Sequence, residues 1–355
     1  MFPLPIRPEK TTEELLDFNR KLGQGIGHLS EIDEIETGVT PKTAIHQIDK
    51  VTLYRYQPPA DVVQSTTPLL IVYALVNRPY MADLQRGRSM VEGLLQTGQD
   101  VYLIDWGYPD ASDQGVTLDD YINGYLDECV DVIRTRHGLD AVNLLGICQG
   151  GTFSLCYTAL HGDKVKNLVT MVTPVDFQTK DDLLSAWVRH VDVDLAVDAL
   201  GNIPGDLLNL TFLGLKPMRL TSQKYLDMVD TFEDPEKLRN FLRMEKWIFD
   251  SPDQAGEAFR QFLKDFYQGN KLIGGEVTLG DQVVDLKAIR NPVLNVFAEQ
   301  DHLVPPAASK ALAGKLGTSD YTEVSFPGGH IGIYVSGRAQ KTVPPAIGQW
   351  LDARR

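Results

Sequence analysis

Apolar residues in the first half of the chain gather into short continuous runs: "PLLIVYALV" (68–76), "DVYLIDW" (100–106), "AVNLLGI" (141–147) and "KNLVTMVTP" (166–174). Runs of this length predict parallel strands buried on both faces. "KVTLYRYQP" (50–58) alternates instead, like a strand with one face toward water. The segments "DLQRGRSMVEGLLQTG" (83–98), "TLDDYINGYLDECVDVIRTRHG" (117–138) and "GTFSLCYTALHG" (151–162) space their apolar residues as helices do. Strand and helix alternate, which predicts an α/β fold: a mostly parallel central sheet flanked by helices on both faces.

The rhythm breaks after Pro174. Residues 177–284 hold "LLSAWV", "LLNLTFLGL", "LRNFLRMEKWIF" and "AFRQFLKDFY", helical segments rich in large apolar side chains without clear β-α alternation. The alternation returns in "NPVLNVFAEQD" (291–301), "YTEVSFPGGH" (321–330) and a last helix, "PPAIGQWLDARR" (344–355). The expected organisation is a core of residues 1–176 and 285–355, interrupted by a mainly helical cap at 177–284. Loops on a rigid scaffold commonly carry function. A polar N-terminal helix over 11–24, opened by Thr11-Thr12-Glu13-Glu14, completes the reading.

Composition narrows the function. The 355 residues are 43% hydrophobic and 23% charged, an ordinary globular mixture. The net charge of -14 argues against a broad basic surface for nucleic acid or anionic lipid. The three cysteines, Cys129, Cys148 and Cys156, are odd in number and form no C-x-x-C, so a disulfide framework is not expected and a reducing compartment is. The N-terminus shows no basic segment followed by an apolar one, so no signal peptide is expected. The longest apolar run is too short to span a bilayer.

Candidate chemistry centres on "NLLGICQGGTFSL" (143–155), a strand, a sharp turn and a helix. The turn matches the G-x-S-x-G nucleophile elbow except that cysteine replaces serine: Gly146-Ile147-Cys148-Gln149-Gly150. Asp301 follows the strand "VLNVFAEQ", and His330 follows "TEVSF". The order nucleophile, acid, histidine is that of the α/β-hydrolase fold, and each residue lies just past the C-terminal end of a predicted strand. Gly146 and Gly150 let strand and helix approach closely and let Cys148 take a strained conformation. His330 would move the thiol proton, and Asp301 would orient the imidazole and stabilise its charged form. The backbone N–H of Gln149 is the first expected oxyanion donor, and that of Val76, with Asn77 as near alternative, the second.

Other residues have blander readings. Cys129 and Cys156 lie on apolar helix faces and are expected to be inert. His302 neighbours Asp301 on an extended segment and should point away from the site. His28, His46, His137, His161 and His190 share no ligand spacing, so no metal is expected. "GNIPG" and "GNKLIGG" read as turns, since no nucleotide-binding pattern surrounds them. Arg78 in "NRPY" is expected to bridge loops.

With these residues in view, the chain resembles the polyhydroxyalkanoate synthases, specifically the catalytic subunit of the two-subunit class III type. The resemblance rests on "GICQGG", "YALVNRPYM", "YLIDWGYPD", "TMVTPVDF", "FLRMEKWIFDSPDQAGEAFRQFLKDFY", "DHLVPP" and "FPGGHIGIYVSG", and spans essentially the whole chain. The chain's short length is also similar to class III. The resemblance implies an acyltransferase that polymerises (R)-3-hydroxyacyl-CoA, chiefly 3-hydroxybutyryl-CoA, and releases CoA. In that family the polymer grows on the cysteine, here Cys148. His330 matches its base, and Asp301 matches a carboxylate also proposed to help activate the incoming 3-hydroxyl. The resemblance implies no cofactor beyond the CoA carried by the substrate. It implies a second, non-catalytic subunit, homo- and hetero-oligomers, and a cytoplasmic location at the polymer granule surface. A Cys-dependent hydrolase of thioesters or lactones on the same fold is the alternative enzyme, and a granule-coat scaffold with a dead hydrolase fold is the non-enzymatic one.

Cysteine suits this chemistry. An acyl group on serine would be an oxoester like the product, and its transfer to a hydroxyl would be nearly flat in energy. On cysteine it stays a thioester, as it was on CoA, and transfer to an alcohol runs downhill. Hydrolysis runs downhill too, so water must be kept out, and the 177–284 segment is the expected lid.

Overall fold

A computed structural model describes residues 35–215 and 234–355, together with Asp17, Met228, Val229 and Phe232. The expected helix at 11–24 and His28 lie outside the described residues, apart from Asp17.

Eight strands form the central sheet: β1 (Lys42–Ile48), β2 (Val51–Tyr56), β3 (Leu69–Val72), β4 (Val101–Asp105), β5 (Val142–Ile147), β6 (Val165–Met171), β7 (Val293–Ala298) and β8 (Tyr321–Phe326). Their spatial order is β1-β2-β4-β3-β5-β6-β7-β8. β2 runs antiparallel to both of its neighbours, and every pair from β4 to β8 is parallel. β3, β5 and β7 are buried at every position, as their apolar runs demand. Successive side chains serve opposite faces. Leu69 and Ile71 join a cluster with Met90, Leu94, Val343 and Ile347. Leu70 and Val72 join another with Tyr121, Val130, Ile133 and Phe153. The sheet is thus covered by helices on both sides.

Several boundaries differ from the sequence reading. β1 was not expected: "KTAIHQI" is polar and largely exposed, because it is the sheet's edge and needs little apolar surface. The expected helix at 83–98 is a small hairpin, Asp83–Gln85 with Arg88–Ser89, followed by the helix Met90–Gln96. Gly87, at φ 70°, closes the hairpin, and Ser89 caps the helix by accepting from the Glu92 N–H. The last helix begins at Gly337, seven residues before Pro344. Pro344 sits within it, packed where a Cβ on Gly93 would approach Pro344 Cγ to 2.6 Å.

Between β6 and β7 the chain runs through helices Leu183–Val188, Val193–Leu200, Gly205–Gly214, Pro235–Phe249 and Gly256–Gln261, which continues as a π-helix over Phe262–Gln268. A short hairpin, Val277–Leu279 with Gln282–Val284, follows. Most of this insertion's apolar residues share the interior of the sheet, and a small cluster of its own gathers Val229, Phe232 and Leu238. Leu184, Val188, Val197, Phe262 and Phe266 belong to the same apolar cluster as the sheet residues Leu70 and Leu144. Among the described residues, no helix is long and apolar enough to cross a membrane.

Candidate active site

The strand order reverses at β3, whose neighbours β4 and β5 lie on opposite sides. Ligands of open α/β sheets bind beyond the strand ends at such a reversal. Val72 at the end of β3 is paired with Gly146 near the end of β5, so the loop after β3 and the turn after β5 emerge side by side.

Cys148 stands at that turn with φ 54° and ψ -124°, a conformation L-residues rarely adopt. Its N–H bonds to Met171 O at 2.9 Å, and its carbonyl accepts from Gly151 N–H at 2.9 Å. The helix Gln149–Leu160 starts immediately after it. The glycines are sterically required. A Cβ on Gly146 would come within 2.5 Å of Gly151 Cα, and one on Gly150 would collide with the carbonyl oxygen of Val72. A Cβ on Gly151 would strike the Thr173 hydroxyl. Cys148 itself is half-buried, whereas Cys129 and Cys156 are buried and burial raises each of their thiols to about 12.

His330 and Asp301 meet although 29 positions apart: His330 Nδ1 lies 2.7 Å from Asp301 Oδ2, and both residues are buried. The other carboxylate oxygen accepts from the N–H groups of Leu303 and Val304, each at 2.9 Å, so the acid cannot swing. Burial alone would pull the imidazole down. The charges of Asp301 and Cys148, and hydrogen bonds to both, outweigh it and leave His330 raised to about 10. His302 is half-buried.

The loop after β3 is fixed by side-chain bonds: Gln149 and Asn77 were singled out in the sequence only for their backbone N–H groups, and Gln254 not at all. Gln149 Oε1 accepts from Leu75 N–H at 3.0 Å, and Gln254 Nε2 donates to Leu75 O at 3.0 Å. Asn77, at φ 62°, donates from its amide to Ser251 Oγ at 2.5 Å. Among the described residues, the N–H groups of Val76 and Gln149 have no protein acceptor. Arg78 bridges loops: it bonds Asp105 Oδ2 at 2.7 Å and Gly107 O at 2.8 Å, and lies over the Tyr108 ring. Three tyrosines whose buried hydroxyls feel the Cys148 charge were also missed: Tyr73, Tyr267 and Tyr334. The Tyr334 ring packs edge-on against His330, centroids 5.9 Å apart, one helical turn further along the chain. That spacing was readable in the sequence; the approach of Tyr267 from the insertion was not. Among the described residues no group of three or more histidines, cysteines or carboxylates could hold a metal ion.

The strand order and the elbow define an α/β-hydrolase fold, and a family profile of that fold matches residues 67–336. Solved structures agree at the level of fold. A monoacylglycerol lipase of Paleococcus ferrophilus superposes with a TM-score of 0.51 at 15% identity, over 85% of this chain and 99% of that one. An α/β-hydrolase fold protein from Chitinophaga pinensis gives 0.51 at 15% identity, over 89% and 98%. Sequence relatives are far more similar. The poly(3-hydroxyalkanoate) polymerase subunit PhaC of Allochromatium vinosum is 67% identical over the full length of both chains. Those of Thiocystis violacea and of a Synechocystis strain are 66% identical, again over the full length of both, and 58% identical over 98% of this chain and 94% of the relative. The chain belongs to the poly(3-hydroxyalkanoate) polymerase subunit family.

Proposed function

We propose that this chain polymerises (R)-3-hydroxyacyl-CoA into poly(3-hydroxyalkanoate), carrying the growing acyl chain as a thioester on Cys148. Polymerase relatives of full-length similarity support the overall reaction. The observation that carries the mechanism is the elbow cysteine, at φ 54°, beside a buried His330 that is held by Asp301 at 2.7 Å.

His330 keeps its proton at neutral pH, so it faces Cys148 as an imidazolium, the partner that stabilises a thiolate. The thiolate attacks the acyl-CoA carbonyl carbon. The carbonyl oxygen gains charge, which the N–H groups of Gln149 and Val76 receive. The tetrahedral species collapses with cleavage of the carbon–sulfur bond to CoA, and His330 gives its proton to the departing CoA sulfur. A 3-hydroxyl then attacks the Cys148 thioester and passes its proton to the now neutral His330. The ester forms and the thiolate is released, restoring the starting pair.

The residues of 177–284 act as the cap that excludes water from the acyl-enzyme. The chain works with a second, non-catalytic subunit in homo- and hetero-oligomers, in the cytoplasm at the surface of the polymer granule. Large exposed apolar side chains on the insertion, among them Trp187, Leu195, Leu207 and Leu210, suit a surface that meets another apolar body.

The test is product identity. Purified chain, alone and with a partner subunit of class III type, is incubated with (R)-3-hydroxybutyryl-CoA, with Cys148→Ala as control. Insoluble polyester with matching CoA release, absent in the control, is expected. Free 3-hydroxybutyrate as the sole acyl product would mean that the same cysteine serves a hydrolase.

A further inference from the structure

Two buried glutamines grip one residue of the loop after β3. Gln149 Oε1 accepts from the N–H of Leu75 at 3.0 Å, and Gln254 Nε2 donates to its carbonyl oxygen at 3.0 Å. Their residues are 8% and 5% exposed, so water competes little for either bond. Gln254 Nε2 also reaches Pro252 O at 3.3 Å; with two carbonyls as partners, it must be the amide nitrogen that faces them. The backbone of Gln254 is fixed in turn by a two-bond bridge to Ile203, at 2.8 and 2.9 Å.

The carbonyl of Leu75 and the N–H of Val76 belong to the same peptide unit. That unit is planar and trans, so its oxygen and its hydrogen point in opposite directions. A donor that holds Leu75 O toward the insertion therefore aims the Val76 N–H away from it. An amide whose oxygen accepts a hydrogen bond is also a stronger donor at nitrogen. Gln149 completes the constraint on the elbow side, since its own N–H is the other proposed oxyanion donor while its side chain holds Leu75 N–H. Neighbouring bonds prevent the loop from sliding: Trp247 Nε1 donates to Arg78 O at 2.8 Å, and Asn77 Nδ2 to Ser251 Oγ at 2.5 Å.

We infer that Gln254, contributed by the inserted segment, is a positioning residue for the oxyanion hole: through Leu75 O it sets the direction of the Val76 N–H. This rests on the reading of Val76 as an oxyanion donor and of Cys148 as the nucleophile. One consequence is that the stretch around 247–254 stays with the sheet, so the part of the insertion free to open lies elsewhere.

The test uses the full chain with its partner subunit and two variants. Gln254→Met keeps the side-chain length and removes the donor; Gln254→Glu keeps the shape and turns the donor into an acceptor. Losing a direct oxyanion donor costs roughly 100- to 1000-fold in kcat, so an indirect positioning residue should cost about 10- to 100-fold, with KM little changed. The second readout is alkylation of Cys148 by iodoacetamide, which needs the thiolate and His330 but no oxyanion hole. Its rate and pH profile should match those of the unaltered chain in both variants. Unchanged kcat in a folded Gln254→Met or Gln254→Glu chain would overturn the inference. So would alkylation that falls in parallel with kcat, which would mean a general disturbance of the site. If neither variant folds, Gln254 is a structural residue and the inference is withdrawn. Polymer synthesis surviving in Cys148→Ala would instead remove the nucleophile reading beneath it, a separate result.

Discussion

At the scale of single residues, the site depends on charges placed where water cannot screen them. Asp301 sits at the end of a strand with one oxygen on two backbone N–H groups and the other on His330. In an unfolded chain a histidine loses its proton near ~6.5; here it keeps it to about 10. Between these values the folded state binds more protons. The stability contributed by the buried pair is therefore complete below the lower value and is lost as pH rises through the upper one. Asp301→Asn removes the largest of the influences that raise His330. The alkaline limb of the pH profile of CoA release should then move to lower pH, and the maximal rate should drop at least about 100-fold. An alkaline limb that stays in place would show that Asp301 does not govern the imidazole. Cys148, Asp301 and His330 stood out in the sequence because each comes shortly after a strand-like segment: two apolar runs for Cys148 and Asp301, and the more polar "YTEVSF" for His330. Gln254 was not: a glutamine in "SPDQAG" carries no periodic signal, and its role exists only once the insertion folds back on the loop after β3.

At the scale of elements, the elbow is a close approach enforced by missing side chains. Gly150 touches the carbonyl of Val72, so strand β3 and the helix Gln149–Leu160 meet backbone to backbone. Gly150→Ala should cost about 1–3 kcal/mol of stability, read as a lower Tm. Gly124→Ala, where an added Cβ meets nothing within 4 Å, should leave Tm nearly unchanged. Equal effects would mean that the elbow is looser than its geometry. The buried parallel strands were legible because both faces demand apolar residues. The edge strand β1 and the hairpin before Met90 were not, since turn geometry and solvent exposure leave no such pattern. The "PLLIVYALV" run is instructive. Only Leu69–Val72 is strand, and the run's apolar end is a loop, buried at Tyr73–Leu75 and half-buried at Val76, that lies between the elbow and the insertion.

At the scale of the whole molecule, a hydrolase-like sheet has been given a cysteine and a helical insertion that shares its interior. In the proposed mechanism the two features answer one problem: a thioester stores the energy needed to form an ester, and the same energy drives hydrolysis wherever water enters. The insertion approaches the site through Tyr267 and grips the loop after β3 through Gln254, so in the proposed mechanism shielding and oxyanion geometry would come from one segment. The central claim is that the acyl chain resides on Cys148. Its most direct test is to quench the reaction with (R)-3-hydroxybutyryl-CoA in acid within the first turnovers, digest the chain, and weigh the peptide that contains Cys148. One or more 3-hydroxybutyryl units on that peptide, removed by neutral hydroxylamine as a thioester is, are predicted. Acyl groups found on another residue, or polyester formed while the Cys148 peptide is never modified, would contradict the account.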